Sequence, residues 1–255
     1  MIFCRLIFFI FSSLFLGCIT TEYNVATHKQ DIFIYSTDKE VNLGRNLHRR
    51  IIKEFKLSKN PFYIKRVRSI GERIAEVCDR REFNYRFYVI DKDEKNAFST
   101  PGGYVYINKG LLEILNSDDE IAFVLAHEIA HIVARHSIKK LQAALGYQML
   151  ILASLPAEKS SSFYQGLSFA LAQIMSGYSR EDEFKADELA VKYSKKANFS
   201  PLAGIKVLEK LYQFHKKEKA HSLSYFRTHP FIPQRIKHIK EVLGIPLTIS
   251  DYMNE

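Results

Sequence analysis

Two histidines four residues apart inside an apolar stretch constrain the folding of this chain more than any other feature. Apart from Glu128, the segment from Ile121 through Val133, which contains His127 and His131, is almost wholly apolar. In an α-helix, residues i and i+4 lie one turn apart on the same face, so both imidazoles can bind one Zn²⁺. Burying such polar groups in an apolar helix is costly unless something pairs with them, and a metal does so. The sequence therefore predicts a buried helix built around a metal ion.

Glu128 lies about 100° further round this helix than His127, close enough to hold a water molecule beside the metal and to take its proton. The resulting H-E-x-x-H pattern is the zinc metalloprotease signature. Ser117 and Glu120 form an S-x-x-E pair that predicts where the helix begins. His136 lies about 180° round the helix from His127, so we exclude it as a ligand and expect it at a surface or an interface.

A catalytic zinc needs a third protein ligand, and the acidic segment over residues 179–187 offers candidates. Ser179 and Asp182 can cap the start of a helix there. Glu183 and Asp187 are four residues apart, so one can ligate zinc while the other holds the second nitrogen of a ligand histidine. The spacing leaves open which acid has which role.

The remaining patterns predict a predominantly helical α+β fold. A helical pattern begins after Gly44, and nearly everything from Lys109 onward is helical. Residues 85–90 and 104–108 read as strands, joined by a polar, turn-rich loop over residues 91–103.

Residues 1–18 are predicted to be a targeting signal and not part of the folded domain. One positive charge, Arg5, precedes an apolar run from Leu6 to Leu16, and Gly17 and Cys18 follow that run. This order is typical of a secretory signal, and its end resembles a bacterial lipoprotein signal in which Cys18 is lipidated. An uncleaved anchor and plain secretion are the alternatives. We expect an irregular tether over residues 19–43 and a single catalytic domain over residues 44–255.

The chain is basic, with 37 Lys and Arg against 28 Asp and Glu and a formal net charge of +9. Basic residues concentrate in the first two predicted helices and near residues 216–219. They form either solvated helix faces or a contact with a membrane surface or an anionic envelope polymer. The sequence has no nucleic-acid-binding signature, so we expect no nucleic-acid partner.

H-E-x-x-H, followed about fifty residues later by E-x-x-A-D ending at Asp187, resembles the gluzincin metallopeptidases. This is the family of the CAAX prenyl protease, HtpX and the periplasmic β-barrel-assembly-enhancing protease. Residues 96–106 resemble the family's edge-strand segment, and Thr228-His229-Pro230 with Arg235 resembles its downstream segment. The resemblance covers residues 45–245 and fits the soluble lipoprotein-type members best.

The resemblance implies a minimal gluzincin domain with a small sheet beside the zinc helix and one Zn²⁺ per chain. His127, His131 and Glu183 would hold the metal. Glu128 would be the general base and later the proton donor to the leaving amine. Asp187 would orient a ligand histidine.

The same resemblance places a peptide substrate along the edge strand, by strand addition. The residues expected to bind it are Asn96, Ala97, Gly102, Gly103 and Tyr104, the glycines allowing close approach. His229 has two open roles. It could stabilise an oxyanion, with Arg235 adding positive charge, or it could fill the fourth zinc position as a lid.

The expected function is that of a zinc endopeptidase of the bacterial cell envelope, acting on unfolded or misassembled envelope proteins. The lipid anchor would hold it on a membrane facing the periplasm, and Ile19 after the cysteine favours the outer membrane. A chaperone-like assembly factor with little proteolysis and a zinc hydrolase of another substrate, such as a cell-wall peptide, are the alternatives. Residues 141–157 read as a buried or substrate-facing helix.

Overall fold

The computed structural model describes residues 20–26, 29–33, 36–153, 163–217 and 224–253, so the predicted signal segment and Cys18 lie outside it. Helices dominate and two small sheets accompany them, which confirms the α+β fold class. The strands are β1 (Thr20–Asn24), β2 (Lys29–Phe33), β3 (Arg86–Ile90), β4 (Ala97–Thr100) and β5 (Tyr104–Asn108). The helices are α1 (Thr37–Glu54), α2 (Pro61–Ala75), α3 (Lys109–Leu112), α4 (Asp118–Val133), α5 (His136–Ala153), α6 (Phe163–Ile174), α7 (Arg180–Lys196), α8 (Ala203–Lys217), α9 (Ser224–Thr228), α10 (Ile232–Val242) and α11 (Ile249–Met253).

The larger sheet has the strand order β3-β5-β4, with β3 parallel and β4 antiparallel to β5. Successive side chains of a strand point to opposite faces, and every residue of β4 and β5 is buried, so both faces of the sheet are covered. Phe87 and Val105 belong to the main core with α2 and α4, whereas Tyr104 and Tyr106 belong to a second core that includes residues of α1. The sheet therefore separates α1 from the central helix, α4.

Helix α4 is the centre of the molecule, and every residue from Glu120 through Val133 is buried. It begins where the sequence predicts, because the Ser117 hydroxyl accepts a hydrogen bond of 3.2 Å from the Glu120 N–H. The Glu120 carboxylate in turn accepts one of 2.7 Å from the Asn116 N–H. Helices α2, α7 and α8 and strand β4 pack around it, so α4 presents its polar residues to other elements rather than to solvent.

Residues 19–43 are more ordered than the irregular tether that the sequence predicts, wherever the structure describes them. Strands β1 and β2 form an antiparallel pair, and Ala26 after β1 is 1% exposed in the main core. Ser36 caps α1, which begins at Thr37 instead of after Gly44. The hairpin strands are short and carry polar side chains, so they show no hydrophobic periodicity. The start of α1 is marked by the Ser36 cap and not by an apolar pattern, so periodicity does not predict it either.

Strand β4 lies inside the segment that reads as a polar loop. Four residues are too few for alternation to show against the flanking turn residues. Both termini of β4 are fixed by its pairing with β5, from Ala97 opposite Ile107 to Thr100 opposite Tyr104. This pairing makes β4 an edge strand, as the resemblance implies.

Within the described ranges, no single helix is both long and apolar enough to cross a membrane. Helix α4 and residues 136–144 would meet that criterion only together, and they are bent by 48° with respect to each other. Leu141 is buried at 2% exposure, as expected for the start of the apolar stretch over residues 141–157. The end of that stretch lies outside the described residues.

Candidate metal centre

Three distant segments of the chain meet at one buried cluster of potential metal ligands. His127, His131, Glu183 and His229 each offer a ligand atom, and these atoms all lie within 4.8 Å of one another. The exposure of His127 is 2% and that of the other three is 0%. Three imidazoles and one carboxylate form a set of ligand atoms that suits zinc.

The two helical histidines and the acid converge because α4 and α7 pack closely. Nε2 of His131 lies 3.0 Å from Nε2 of His127, as the i, i+4 spacing predicts. Glu183, in the first turn of α7, places its Oε1 3.5 Å from Nε2 of His131 and its Oε2 3.4 Å from Nε2 of His127. The side chains of these three residues could thus share one cation.

His229 joins the cluster from the segment that follows α9. Its Nδ1 lies 3.0 Å from Oε1 of Glu183 and 3.4 Å from Nε2 of His127. Its backbone N–H donates to the carbonyl of Tyr225, whose ring stacks on the imidazole at 4.8 Å. Of the two roles left open by the sequence, this position fits that of a fourth ligand.

Asp187 contacts a candidate ligand histidine, with its Oδ1 2.9 Å from Nδ1 of His127. Arg235 donates two hydrogen bonds of 2.8 Å to the Asp187 carboxylate, and its Nη1 lies 2.7 Å from Oε2 of Glu183. The guanidinium is 0% exposed. Arg235 therefore pairs with both acids beside the cluster. Its contribution to an oxyanion site, one of the two alternatives from the sequence, stays a prediction.

The charges around the cluster keep its acids ionised. Burial opposes ionisation of Glu183, but Arg235 and His229 hold its pKa well below the usual range. Arg235 likewise lowers the pKa of Asp187 against the effect of burial. Burial lowers the pKa of His131 well below its ordinary value, which leaves the imidazole neutral with a free lone pair. An ionised carboxylate and a neutral imidazole are the forms that ligate zinc.

The cluster favours a cation at its centre. Burial and Arg235 lower the pKa of His127, yet hydrogen bonds to Asp187 and Glu183 outweigh them and raise it to about 9. The two carboxylates therefore stabilise positive charge at this point, and a divalent metal ion supplies such charge.

The environment of Glu128 also indicates whether the site fits a metal ion. Its side chain is 1% exposed, and within the described part of the chain neither carboxylate oxygen accepts a hydrogen bond. Nε2 of His229 lies 3.4 Å from its Oε1. A buried carboxylate without hydrogen bonds is costly, and a neighbouring cation offsets that cost. The residues present thus fit a metal ion beside Glu128.

Strand β4 lies directly against the metal-site helix. The Ser99 hydroxyl donates a hydrogen bond of 3.0 Å to the backbone carbonyl of Glu128. Asn96, just before β4, accepts a hydrogen bond of 3.2 Å from the Thr228 hydroxyl. Asn96 and Ala97 are 2% and 0% exposed, so these side chains fix the edge strand next to the cluster.

Gly102, Gly103 and Tyr104 lie away from that edge, contrary to their predicted role in substrate binding. A Cβ at Gly102 would lie 3.0 Å from the Cα of Val41 in α1, and both glycines have positive φ angles of 78° and 92°. The close approach that they allow is therefore internal to the fold. Tyr104 belongs to the central strand, β5, and its ring stacks on that of His48.

His136 is buried at 3% exposure, so the expected surface position is wrong, although it is not among the candidate ligands. Its Nδ1 lies 2.9 Å from Nδ1 of His131. Helix α4 ends at Val133, and Arg135 takes a left-handed conformation with φ 57°, so the helical angle from His127 does not apply. Tyr178, which the sequence did not single out, stacks on His131 with ring centroids 3.9 Å apart.

A metal-binding helix, an adjacent edge strand and a glutamate on a helix packed against it, α7, define a metallopeptidase of the gluzincin type. The comparison with known families agrees, because residues 63–243 match Peptidase family M48. The chain belongs to this family of zinc-dependent metallopeptidases.

Three curated relatives are 26% to 29% identical to this chain over the residues that align. The mitochondrial metalloendopeptidase OMA1 of Schizosaccharomyces pombe is 29% identical over 228 residues, covering 87% of this chain and 66% of its own length. The β-barrel assembly-enhancing protease of Escherichia coli is 26% identical, covering 69% of this chain and 38% of its own. The metalloprotease LoiP of Escherichia coli is 27% identical, covering 71% of both.

Proposed function

We propose that this chain is a zinc-dependent endopeptidase that hydrolyses unfolded or misassembled proteins of a bacterial cell envelope. The observation that carries the proposal is the buried carboxylate of Glu128. It accepts no hydrogen bond from any other described residue, and its Oε1 lies 3.4 Å from Nε2 of His229, a candidate metal ligand. Such an acid is poised to exchange a proton with a reacting group.

The chain's own residues divide the work of hydrolysis. His127, His131 and Glu183 would hold the zinc ion, which when bound polarises the scissile carbonyl and lowers the pKa of water. Glu128 would take a proton from the attacking water and return it to the leaving amine. Asp187 would accept the Nδ1–H of His127, which directs the lone pair on Nε2 into the cluster.

The free edge of β4 favours the proposal that the substrates are extended, unfolded chains. The backbone of β4 pairs with β5 on one side, and in the described part of the chain no further strand pairs with its other side. An extended peptide can add to such an edge through backbone hydrogen bonds. A folded protein does not present a free extended segment, so this mode of binding selects unfolded chains.

The envelope location rests on the relatives and on charge. The Escherichia coli relative is named for β-barrel assembly, although this chain spans only 38% of its length. Arg45, Arg49 and Lys53 recur every four residues along the exposed face of α1, and none forms an ion pair with another described residue. This face suits an anionic membrane surface near a lipid anchor at Cys18. Ile19, the residue after that cysteine, favours the outer membrane as the one that would hold the anchor.

We further propose that His229 occupies the fourth metal position in the resting protein and moves away when substrate arrives. Its Nδ1 lies 3.0 Å from Glu183, among the candidate ligands, and its Nε2 approaches Glu128 at 3.4 Å. In that position it would compete with substrate for the metal. Its segment lies between two helices, α9 and α10, where a short loop can move as a lid.

The test is cleavage of unfolded casein by the purified chain, with and without a chelator. Proteolysis that chelation abolishes and added zinc restores would support the proposal, with Glu128→Gln as the inactive control. Binding of casein without cleavage would favour a chaperone-like assembly factor instead. Cleavage of cell-wall peptide but not of casein would favour a different zinc hydrolase.

A further inference from the structure

A second histidine supports His131 from the side opposite the metal cluster. Nδ1 of His131 lies 2.9 Å from Nδ1 of His136, and the two rings meet edge to face at 71°. Nε2 of His131 points the other way, 3.0 Å from Nε2 of His127. The His131 ring therefore connects the cluster with His136.

The connection continues to an acid at the start of α7. Nε2 of His136 lies 3.4 Å from Oδ1 of Asp182. The other oxygen of Asp182 accepts from the Ser179 N–H at 3.4 Å, and the Asp182 N–H donates to the Ser179 hydroxyl at 3.1 Å. This capping box holds Asp182 in place, one residue before Glu183.

Hydrogen-bond chemistry allows one arrangement of protons along this chain of groups. A neutral imidazole has one N–H and one acceptor nitrogen. If Nε2 of His131 donates its lone pair to a metal, the proton lies on Nδ1 and points at His136. Nδ1 of His136 must then accept, so the proton of His136 lies on Nε2 and is donated to the Asp182 carboxylate.

We infer that His136 is a positioning residue that fixes the ring and the tautomer of His131 for zinc binding, with Asp182 fixing His136 in turn. The inference rests on the proposed function, because it assumes that His131 binds zinc. It also distinguishes the two helical ligands. Nδ1 of His127 contacts a carboxylate directly, Asp187 at 2.9 Å, whereas Nδ1 of His131 contacts His136, which in turn contacts the carboxylate of Asp182. Partners of ligand histidines raise the basicity of the ligand and hold its orientation.

The fold uses an unfavourable backbone conformation to place His136. Arg135 links α4 to α5 with φ 57°, a left-handed conformation that is unfavourable for a residue with a side chain. Its guanidinium Nε lies 3.1 Å from the buried carboxylate of Glu40 in α1. Asn24 donates a hydrogen bond of 3.4 Å to the carbonyl of Ala134 in the same turn. The N-terminal elements therefore hold the turn that returns His136 to His131.

The experiment compares two replacements of His136 by zinc affinity. His136→Leu removes the acceptor, whereas in His136→Asn the amide oxygen stands near the place of Nδ1 and can still accept from His131. His48→Leu is the matched control, since Nδ1 of His48 also lies 2.9 Å from a polar partner, the Tyr106 hydroxyl, but not in the cluster. Zinc dissociation constants come from competition with a chromophoric chelator, and Co²⁺ absorption spectra report ligand geometry. Circular dichroism verifies that each variant is folded.

We expect His136→Leu to weaken zinc binding about 10- to 100-fold and to alter the Co²⁺ spectrum. His136→Asn and His48→Leu should stay close to the wild type in both measurements. Folded His136→Leu protein with wild-type zinc affinity would overturn the inference, and so would equal losses in the leucine and asparagine variants. A wild-type chain that binds no zinc would overturn the proposed function, and the inference with it.

Discussion

The guanidinium of Arg235 donates two hydrogen bonds of 2.8 Å to the carboxylate of Asp187, and both side chains are fully buried. Planar pairing of this kind fixes both partners in orientation as well as in distance. Arg235, from α10, also contacts Glu183, and Asp187 in turn contacts His127. One arginine therefore holds both the candidate ligand Glu183 and the supporting acid Asp187 in position on α7. The metal cluster is therefore braced from the C-terminal side of the chain.

Replacing Glu128 by glutamine should separate metal binding from catalysis. The amide keeps the shape of the side chain but cannot accept the proton of the attacking water. We expect near-normal zinc content by metal analysis and loss of nearly all cleavage of unfolded casein. Substantial cleavage by the Glu128→Gln protein would contradict the assigned base.

Replacing Glu183 by alanine should remove zinc or weaken its binding strongly. This change deletes the carboxylate and leaves Arg235 without one of its partners. Glu181→Ala is the matched control, because the Glu181 side chain is 76% exposed and lies two residues away in the same helix turn. Equal zinc content in the wild type and in Glu183→Ala would refute the choice of third ligand.

Replacing His229 by alanine should raise the rate of casein cleavage while zinc remains bound by the other three residues. The change frees the position in which His229 would compete with substrate. Initial rates at several casein concentrations, together with zinc content, test this. A fall in turnover of about a hundredfold or more would instead assign His229 to transition-state stabilisation.

Replacing Glu40 by alanine should destabilise the whole domain. Its carboxylate, 1% exposed, lies 3.2 Å from Arg80 and 3.1 Å from Arg135, and the change leaves both buried guanidinium groups without it. We expect a loss of about 3–5 kcal/mol in the free energy of unfolding, measured with urea. Glu54→Ala removes an exposed pair with Arg50 and should cost no more than about 1 kcal/mol.

Adding a methyl group at Gly44 should displace the turn after β4. A Cβ there would lie 1.8 Å from the backbone carbonyl oxygen of Pro101, which cannot move without shifting the turn. We expect Gly44→Ala to lose about 1–3 kcal/mol in unfolding free energy. Gly166→Ala is the control, since a Cβ there meets nothing within 4 Å and alanine favours a helix. Equal stability of the two variants would show that α1 is not held against this turn.

The parts of the site that depend on one helix could be predicted from the sequence. The spacing of His127 and His131 and that of Glu183 and Asp187 fix each pair on one helix face, and the structure brings the two pairs together. Which acid contacts the cluster depends on how α7 packs against α4. Spacing within α7 does not determine that packing.

The contributions of His136 and Arg235 depend on the path of the chain between elements. An angle calculated for a continuous helix placed His136 on the opposite face, and the left-handed Arg135 invalidates that calculation. A left-handed conformation at a non-glycine residue leaves no local signal in the sequence. Arg235 was found only by resemblance, and its contact with Asp187 spans 48 residues of chain.

The hydrogen bond from Ser99 to the backbone of Glu128 has a consequence for which proteins this chain would choose to cut. It joins the edge strand to the backbone of the metal-site helix, so a peptide lying along β4 would meet Glu128 at a fixed distance along its length. Choice among clients would then depend on how long an unstructured stretch each one exposes. The identity of the substrate's side chains would matter less, and the protein would select substrates by the disorder of their backbone.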